Sequence, residues 1–469
     1  MLELLLLQML LGAFDTLYHH ELKEQLPYRS GAGPELRIHG VRALLYALIA
    51  AGLAWFEWRG WLVLVLAVLF TLEIVLTLVD FVIEDRTRKL PASERVTHAL
   101  LAVNGGAFLL ALGSALVAWW PQPASLAFAD HGWRGWLLSL AALGLVASGL
   151  RDLHAARKLA MLAGARRSVD FGTKRLHVLV SGATGFIGRR LMWALLDAGH
   201  EVKVDERDEA RAWMLFSGRT QVTKEEDKPF DAVINLAGAP IVGPPWTRAR
   251  RRTLLESRLG TTRELVDFIA RSPHKPAVLI NASAVGYYGD RGDEPLTERD
   301  HGGDEFTSEL CEAWERCAES AQASGVRVCT LRLGIVLGWG GALPMLIAPH
   351  LAALGARIGD GRQWVSWVHV DDVIGAIAFL VRHAQARGPF NVVAPGALRQ
   401  GELARAIAAS YRRPLWLAVP AWLLEGLLGE MARLFTRGQW VQPTRLSEAG
   451  FRFRFPRFDA ALRDIRGTT

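Results

Sequence analysis

Apolar residues form two different patterns along this chain, and the change between them comes near residue 155. Before it, polar stretches separate five apolar segments, at 1–18, 40–57, 61–83, 99–120 and 134–150. The third and fourth segments are long enough to cross a hydrocarbon core of about 30 Å as helices. Beyond residue 175, short apolar runs alternate with helical stretches, which is typical of a parallel doubly wound sheet. The pattern therefore predicts an all-α transmembrane bundle followed by an α/β domain of the Rossmann type.

Basic residues in the loops predict the orientation of this bundle, because cytoplasmic loops carry an excess of Lys and Arg. The first and third loops contain Lys23, Arg29, Arg37, Arg86, Arg88, Lys89 and Arg95. The second loop has Arg59, and the fourth, at 121–132, has no Lys or Arg. We therefore expect an integral membrane protein in a lipid bilayer, with its N-terminus outside and its soluble C-terminal part in the cytoplasm. Five spans satisfy this alternation, and four spans with residues 1–18 on the membrane surface satisfy it nearly as well.

Ionisable residues of the first 155 positions gather near the predicted cytoplasmic ends. They are Asp15, His19, His20, Glu35, His39, Asp80, Glu84, Glu94, His98, Asp152 and His154, while Glu73 lies deeper in its segment. Three carboxylate–imidazole pairs (Asp15/His19, Glu35/His39 and Glu94/His98) are spaced to share a helix face. No spacing is a specific metal signature, so we assign no metal ligand here and favour interfacial polar residues, helix caps and a buried hydrogen-bond network. A metal site or a ligand or quinone pocket is the alternative interpretation.

A glycine turn follows the first predicted strand of the α/β domain. The run His177-Val-Leu-Val-Ser-Gly-Ala-Thr-Gly-Phe-Ile-Gly188 predicts a strand, a turn and then a helix. Backbone N–H groups at such a helix N-terminus bind a dinucleotide pyrophosphate, and a Cβ at Gly182 or Gly185 would keep the phosphate out. The predicted cofactor-binding residues of this turn are Gly182, Thr184, Gly185, Phe186, Ile187 and Gly188.

Two later strands add cofactor contacts. The strand at 201–204 is followed by Asp205, Glu206 and Arg207. An acidic residue at this position binds ribose hydroxyls, whereas an arginine suits the 2′-phosphate of NADP. Because both residue types are present, these residues do not decide between NAD and NADP. The strand at 230–235 ends in the small residues Leu236, Ala237 and Gly238, which suit cofactor packing. A further strand, at 278–283, ends at Ser283.

Composition changes this interpretation little. The chain has 469 residues, 17 tryptophans and a net charge of +7, and much of its Lys and Arg lies in loops beside apolar segments. The positive charge therefore does not indicate nucleic acid, and we expect no nucleic-acid partner. The three cysteines, Cys311, Cys317 and Cys329, show neither metal spacing nor obvious pairing, which fits a reducing compartment.

The region from residue 176 to about 460 resembles the extended short-chain dehydrogenase/reductase superfamily, in its atypical sugar-nucleotide-epimerase-like branch. The resemblance is carried by Ser181-Gly-Ala-Thr-Gly-Phe-Ile-Gly-Arg-Arg190, Ile234-Asn-Leu-Ala-Gly238, Ser283-Ala-Val-Gly-Tyr-Tyr-Gly-Asp290, Phe306-Thr-Ser-Glu-Leu-Cys-Glu-Ala-Trp-Glu315, Trp367-Val-His-Val-Asp-Asp372 and Gly388-Pro-Phe-Asn391. It implies a cofactor domain with a small C-terminal α/β domain over the substrate cleft. The predicted domains are a bundle of four to five spans at 1–155, a basic linker at 156–174, an NAD(P)-binding domain at 175–395 and a substrate-side domain at 396–469. Arg207 favours NADP(H), and Glu206 keeps NAD(H) possible.

The chain departs from this superfamily at its proton relay, which is a serine with Tyr-x-x-x-Lys. Ser283 fits the serine position, but Phe306 and Leu310 stand where the tyrosine and lysine belong. The nearest phenols are Tyr287 and Tyr288, so the candidate catalytic residues are Ser283, Tyr287 and Tyr288, with Ser283 also a contact of the substrate or nicotinamide. The motif with His369 and Asp371 is expected to position a loop near the cofactor.

Two functions remain open at this point. The first is a membrane-anchored NAD(P)-dependent oxidoreductase or epimerase acting on a small carbonyl or hydroxyl substrate, either sugar-nucleotide-like or lipid-linked. The second is a catalytically weak, NADP(H)-binding redox-sensing module that regulates the bundle. The missing relay favours the second function, and the retained serine and substrate-domain motifs favour the first.

Overall fold

The computed structural model describes residues 1–23, 26, 32–87, 91–164, 168–205, 215–216, 228–338, 340–351 and 354–466. The chain divides into two compact units, Met1–Ala165 and Arg166–Thr469. The helix that contains residue 155 continues to Gly164, so the first part of the basic segment predicted as a linker at 156–174 is helical.

The described part of the N-terminal unit is almost entirely helical. Its helices are α1 Leu2–Phe14, a π-helix at Asp15–Lys23, α2 Gly33–Trp55, α3 Leu62–Thr87, α4 Ala92–Trp119 and α5 Trp133–Gly164. Strands β1 Phe56–Arg59 and β2 Ser125–Phe128 pair antiparallel beside the ends of these helices. Helices α2 and α5 pack closely at Gly40, where there is no room for a side chain. A Cβ at this position would lie 2.6 Å from Leu153 Cγ and 2.9 Å from the Gly149 carbonyl oxygen.

Among the described residues of this unit, four helical stretches are long and apolar enough to cross a membrane. They are Gly33–Trp55, Leu62–Asp85, Ala92–Trp119 and Trp133–Arg157. Helix α1 has 13 residues, fewer than the roughly 20 that span a hydrocarbon core. This helix continues directly into the π-helix Asp15–Lys23, so the choice between four and five spans stays a prediction.

The C-terminal unit contains the predicted doubly wound sheet. Its strands are β3 His177–Ser181, β4 Glu201–Asp205, β5 Ala232–Asn235, β6 Val278–Ala284, β7 Pro295–Leu296, β8 Arg327–Leu333, β9 Ile335–Gly338, β10 Gly340–Gly341, β11 Ala356–Ile358, β12 Trp364–Val365, β13 Trp367–His369, β14 Gly388–Val392, β15 Leu398–Arg399, β16 Leu417–Val419 and β17 Trp440–Val441. Six of them form a parallel sheet in the order β14-β8-β6-β5-β3-β4. Strands β4 and β5 both follow β3 in the chain but lie on opposite sides of it. This reversal creates a ligand crevice at the carboxyl end of β3, as in other sheets of this kind.

Helices cover both faces of this sheet. The helices of the C-terminal unit are α6 Phe186–Asp197, α7 Arg248–Arg271, α8 Phe306–Glu319, α9 Leu343–Leu351, α10 Val370–Arg382, α11 Gln400–Ser410, α12 Ala421–Leu428, α13 Arg433–Thr436, α14 Thr444–Glu448 and α15 Phe458–Arg466, of which α6 and α10 cover one face and α7 and α8 the other. Successive side chains of a strand point to opposite faces. Accordingly, Val178 and Val180 belong to one apolar core and Leu179 to another.

The C-terminal α/β part uses residues from both sides of the predicted boundary at 395. Strand β7 pairs with β17, β11 with β16 and β12 with β15, so each of these small sheets joins a strand before residue 395 to one after it. Helices α11 and α15 close a separate apolar core around Leu403, Ile407 and Leu462. The small sheets thus tie the C-terminal residues to the segments that follow β6 and β9.

Candidate functional site

The glycine turn after β3 is shaped first by packing within the protein. Gly182 has φ +78°, and a Cβ there would lie 2.6 Å from the carbonyl carbon of Leu236. A Cβ at Gly188 would overlap the carbonyl oxygen of Gly182. These two glycines therefore let the turn and α6 approach the loop after β5. Phosphate approach was the predicted reason for glycine at 182, whereas the structure shows this packing.

Gly185 is the glycine that leaves the helix N-terminus open. It is exposed and is the N-cap of α6, and its φ of −69° is accessible to any residue. Among the described residues, a Cβ at this position would meet only the Gly182 carbonyl oxygen within 4 Å, at 3.2 Å. The backbone N–H groups at the start of α6 therefore face space that a side chain at Gly185 would fill. This arrangement fits a bound phosphate.

The side chains beside this turn serve internal packing. The Phe186 ring lies against the backbone at Gly338, Gly340 and Gly341, where an added Cβ would come within 2.6–2.8 Å of the ring. Ile187 packs against the core of the sheet, and Thr184 is half-buried. The side chains of Phe186 and Ile187 are thus used to hold α6 in place, which leaves their backbone for the predicted cofactor contacts.

A buried hydrogen-bond network supports the loop after β5. Asn235 Nδ2 donates to Asn281 Oδ1 at 2.7 Å and to Thr262 Oγ1 at 2.9 Å, and the Ala237 backbone N–H donates to Asn235 Oδ1 at 3.2 Å. Leu236 packs against the core, and a Cβ at Gly238 would lie 3.2 Å from the guanidinium carbon of Arg258. The loop 236–238 is thus held rigidly beside the glycine turn.

The predicted ribose-binding position lies partly outside the described residues. Asp205 is exposed at the end of β4, next to Ser181 at the end of β3. Glu206 and Arg207 fall outside the described residues. The choice between NAD(H) and NADP(H) therefore remains a prediction from the sequence.

Ser283 is part of a buried ion-pair network at the carboxyl end of β6. Its hydroxyl donates to Glu315 Oε1 at 2.6 Å. Glu315 in turn accepts two hydrogen bonds of 2.9 Å from Arg332, one on each carboxylate oxygen. All three side chains are buried, with exposed fractions of 2% for Ser283, 5% for Glu315 and 3% for Arg332. In this structure Ser283 orients the carboxylate of Glu315, and its hydroxyl already has an internal acceptor.

Tyr288 completes this network from the other side. Its hydroxyl accepts a hydrogen bond from Arg332 Nη1 at 3.0 Å and donates to Asn391 Oδ1 at 2.7 Å. The side chain is fully buried, and burial raises the pKa of the phenol to about 12. The sequence proposal of Tyr288 as a catalytic phenol therefore does not agree with its position, because ring and hydroxyl are enclosed by protein.

Tyr287 lies on the outer side of the same arginine. The Arg332 guanidinium carbon is 3.4 Å from the centroid of the Tyr287 ring, a cation–π contact. Tyr287 is half-buried, and its hydroxyl makes no hydrogen bond with a side chain or backbone group in the described ranges. Of the two phenols, Tyr287 is the one whose hydroxyl remains available to a substrate.

The positions of the expected Tyr-x-x-x-Lys relay are occupied by apolar contacts. Phe306 packs edge-to-face on Trp246 at a centroid distance of 5.3 Å, and Leu310 belongs to the same core. Cys311 lies beside Ser283, but burial raises the pKa of its thiol to about 11, so it is not a thiolate nucleophile at neutral pH. Neither position 306 nor position 310 supplies a proton donor.

His369 and Asp371 hold helix α10. His369 Nδ1 accepts a hydrogen bond from the Asp371 backbone N–H at 3.1 Å and so caps the helix. Asp371 binds Arg190 of α6 at 2.7 Å. This motif therefore positions α10 against α6, in agreement with a positioning role.

Glu315, Arg332 and Asn391 were not among the residues predicted from the sequence. The signal available for them was Arg332, which stands between two leucines near the end of the strand at 326–333 and requires a counter-charge if it is buried. The sequence alone does not say which carboxylate supplies it. The helix α8 brings Glu315 under β8, and β14 brings Asn391 beside it.

Two known protein families match parts of this chain. The profile of the NAD dependent epimerase/dehydratase family matches residues 178–393, and the profile of a domain of unknown function (DUF1731) matches residues 419–465. Both matches lie in the C-terminal unit.

Individual relatives cover the same part of the chain. Epimerase family protein YfhF of Bacillus subtilis (strain 168) is 35% identical over 297 residues, covering 62% of this chain and 98% of that protein. The chloroplastic Epimerase family protein SDR39U1 homolog of Arabidopsis thaliana is 38% identical over 303 residues, covering 62% of this chain and 87% of that protein. The crystal structure of human epimerase family protein SDR39U1 (isoform 2) with NADPH has a TM-score of 0.56 and 30% identity, covering 63% of this chain and 100% of that chain.

Proposed function

Because this chain belongs to the NAD-dependent epimerase/dehydratase family, we propose that its C-terminal unit binds a nicotinamide dinucleotide, NADP(H) in preference to NAD(H). The observation that carries the proposal is the open N-terminus of α6 at Gly185, at the point where the strand order of the sheet reverses. The human relative crystallised with NADPH supports the preference, as does Arg207 after β4.

Such a cofactor supplies hydride transfer. The residues that would hold it are the backbone of 185–188 for the phosphates and the loop 236–238 beside them, with Glu206 and Arg207 as the predicted ribose contacts. The substrate we propose is a small molecule with a carbonyl or hydroxyl group, either sugar-nucleotide-like or lipid-linked. Tyr287 is the residue of this chain that we assign to proton transfer, because its ring lies at the carboxyl end of β6 and Tyr288 is enclosed.

A second function is favoured by a specific observation. The relay positions hold Phe306 and Leu310 in apolar contacts, so catalysis would proceed without the acid–base pair of the superfamily. General acid–base help is worth about 10²–10⁴-fold in rate, so its loss produces a slow enzyme. The second candidate is therefore a redox-sensing module that binds NADP(H) and regulates the helical unit with little turnover.

Cofactor binding is tested on a fragment that begins at about residue 172. The curated relative YfhF is matched over 98% of its length by 62% of this chain, which supports independent folding of this part. Gly185→Val should abolish NADPH binding in calorimetry, because the valine side chain fills the phosphate position. Gly260→Val on α7, where no described atom lies within 4 Å of an added Cβ, is the matched control and should bind normally. Unchanged affinity in a folded Gly185→Val fragment would contradict the proposal.

Turnover separates the two functions. An enzyme that uses Tyr287 should lose about 10²-fold or more of its NADPH oxidation rate in Tyr287→Phe, while NADPH affinity stays within a few-fold. A sensor should show no substrate-dependent oxidation in wild type across a panel of carbonyl and sugar-nucleotide compounds. Ser283→Ala and Tyr288→Phe, measured for rate and for cofactor affinity together, show whether the buried network contributes. Robust turnover in all three variants would show that the proton comes from elsewhere.

We propose further that the N-terminal unit lies in a lipid bilayer. Helices α3, α4 and α5 expose large apolar side chains that water does not favour, among them Val68, Leu78, Val103, Leu110, Val117, Leu140 and Leu143. Exposed tryptophans gather at the helix ends beside the paired strands β1 and β2, namely Trp61, Trp120, Trp133 and Trp136. Exposed apolar helix faces bordered by tryptophans are typical of a membrane unit, since indole rings favour the interface.

Cysteine labelling in sealed vesicles tests the orientation. With Cys311, Cys317 and Cys329 replaced, a cysteine at position 126 should be labelled from the outside and one at Asp85, which is exposed, from the cytoplasmic side. Labelling of position 126 only from the cytoplasmic side would overturn the orientation. A cysteine at Glu3 distinguishes five spans, which place it outside, from four.

A further inference from the structure

Polar side chains of the N-terminal unit converge where the π-helix meets α4. Asp15 and His20 are five residues apart, and the π-helix, whose hydrogen bonds run from i to i+5, brings them to one side. Glu94 and His98 are four residues apart on α4 and share a face. One potential ligand atom from each of these four side chains lies within 4.8 Å of the corresponding atom of every other.

The four side chains are shielded from solvent. Asp15 and His20 are each 7% exposed, Glu94 is fully buried, and the His98 side chain is 14% exposed. His20 Nε2 is a buried atom that makes no hydrogen bond with any residue the structure describes. Yet carboxylate oxygens of Asp15 and Glu94 lie 3.5 Å and 3.4 Å from this nitrogen. A buried imidazole nitrogen aimed between two carboxylates without a hydrogen bond lacks its natural partner.

The spacing of these atoms is that of ligands around one ion. Metal–ligand distances of about 2.0–2.2 Å place neighbouring ligand atoms about 3.0–3.5 Å apart in octahedral or tetrahedral geometry. The observed separations fall in this range: 3.5 Å and 3.4 Å from His20 Nε2, and 3.2 Å from His98 Nε2 to Asp15 Oδ2. Two carboxylates with two neutral imidazoles also balance the charge of one divalent cation, which a buried site requires.

We propose that Asp15, His20, Glu94 and His98 bind a divalent first-row transition-metal ion. The mixed imidazole and carboxylate set suits zinc, iron, manganese or cobalt, whereas calcium and magnesium take oxygen ligands. The proposal does not depend on the function of the C-terminal unit.

Neighbouring residues hold these ligands in place. His19 Nδ1 contacts Asp15 Oδ1 at 2.9 Å, and His19 Nε2 contacts Ser93 Oγ at 3.2 Å, so the Asp15 carboxylate is oriented from behind. Such outer contacts are typical of metal sites. A second group, His20 with His39 and Glu84, also has its ligand atoms within 4.8 Å of one another and shares His20 with the first. The His20 and His39 rings stack at a centroid distance of 4.5 Å. This adjoining group offers a second position for an ion.

The experiment uses the full chain in detergent micelles, purified without a polyhistidine tag and freed of metal with a chelator. Cobalt(II) is the probe, because nitrogen and oxygen ligands give it a visible absorption band, and bound metal is counted by elemental analysis. Wild type should develop the band and retain one ion per chain, or two if the adjoining group also fills. His20→Gln should weaken cobalt binding by about 100-fold or more, and Glu94→Gln should act in the same direction.

His154→Gln is the matched control, since His154 is an exposed histidine of the same unit. It should bind cobalt as wild type does. Thermal unfolding and gel filtration show whether each variant is folded. Wild type that retains no cobalt overturns the proposal even if the variants fail to fold. Equal binding by wild type and a folded His20→Gln variant overturns it as well, because the ion would then lie elsewhere.

Discussion

In the C-terminal unit, the buried charges of Glu315 and Arg332 face each other, and each carboxylate oxygen accepts a hydrogen bond from the guanidinium. In the N-terminal unit, the carboxylates of Asp15 and Glu94 lie close to the imidazoles of His20 and His98. The same kinds of residue are buried in both units. In the first, the hydrogen bonds of Ser283 and Tyr288 extend the pair on either side. In the second, the His20 Nε2 atom remains without a hydrogen bond among the described residues.

The difference shows that the balance of donors and acceptors in a buried polar cluster indicates whether the cluster is structural or binds a ligand. A closed network, in which donors and acceptors match, holds strands and helices in register and leaves little capacity for a ligand. A cluster rich in acceptors, with a nitrogen aimed at its centre, has capacity for a cation. The N-terminal unit contains a paired arginine as well, since Arg42 contacts Asp80 and Glu73.

Breaking the closed network should have the largest effect. Arg332→Met leaves Glu315 buried without its guanidinium, so the free energy of unfolding of the fragment from residue 172 should fall by about 3–5 kcal/mol. Urea unfolding measures it. Arg252→Ala, which removes the exposed pair with Glu256, is the control and should cost about 0–1 kcal/mol. A loss below 1 kcal/mol for Arg332→Met would show that the network does not hold the sheet together.

Removing metal should affect one unit only. A ligand present at 100 times its Kd stabilises the folded state by about 2.7 kcal/mol, so full-length protein loaded with zinc should lose about that much when a chelator is added. The fragment from residue 172 should keep its Tm under the same treatment. Calorimetric scans of both samples, with and without chelator, make the measurement. A chelator effect on the fragment would place the ion in the C-terminal unit and reverse the comparison.

The smallest expected effect comes from the phenol that closes the network. Tyr288→Phe leaves Asn391 and Arg332 each without one partner, which should cost about 1–3 kcal/mol at neutral pH, and Tyr287→Phe should cost less.

The stability of wild type and of Tyr288→Phe should also depend differently on pH in the alkaline range. Burial raises the pKa of Tyr288 above the unfolded value of 10 to about 12, so the unfolded chain loses this proton first as the pH rises. Wild-type stability should therefore fall between about pH 10 and pH 12, and Tyr288→Phe should lack that part of the fall. Urea midpoints across this pH range show it. If wild type and Tyr288→Phe lose the same stability between pH 10 and pH 12, the pKa of Tyr288 is not raised in the folded state.

Much of the fold was predictable because local patterns specify it. Apolar runs at 178–180, 232–234 and 278–280 have the length and β-branched content of buried strands, and the glycine turn marks the first crossover. The helices of the N-terminal unit followed from length and hydropathy. The interleaved small sheets were not predicted, since strands of two or three residues, such as β7 and β17, carry too little pattern to be recognised.

The site was predicted only where function depends on the backbone. Gly185 followed from the spacing of the turn, whereas the roles of Ser283 and Tyr288 depend on partners distant in sequence. Glu315 is 32 residues from Ser283, and Asn391 is 103 residues from Tyr288. Likewise, helical spacing paired Asp15 with His19 and Glu94 with His98, but it did not show that a π-helix would bring His20 to face α4.

The separation of Tyr288 from Asn391 also sets an order of events during synthesis. Because 103 residues lie between them, a ribosome that adds about 5–20 residues per second needs roughly 5–20 s to make the acceptor after the donor. During that interval β8 and α8 emerge and are able to pair Arg332 with Glu315, while the edge of β8 that will bind β14 stays open. The nascent chain therefore exposes an unpaired strand edge until residue 392 has left the exit tunnel, and an unpaired edge is a template for pairing with another chain.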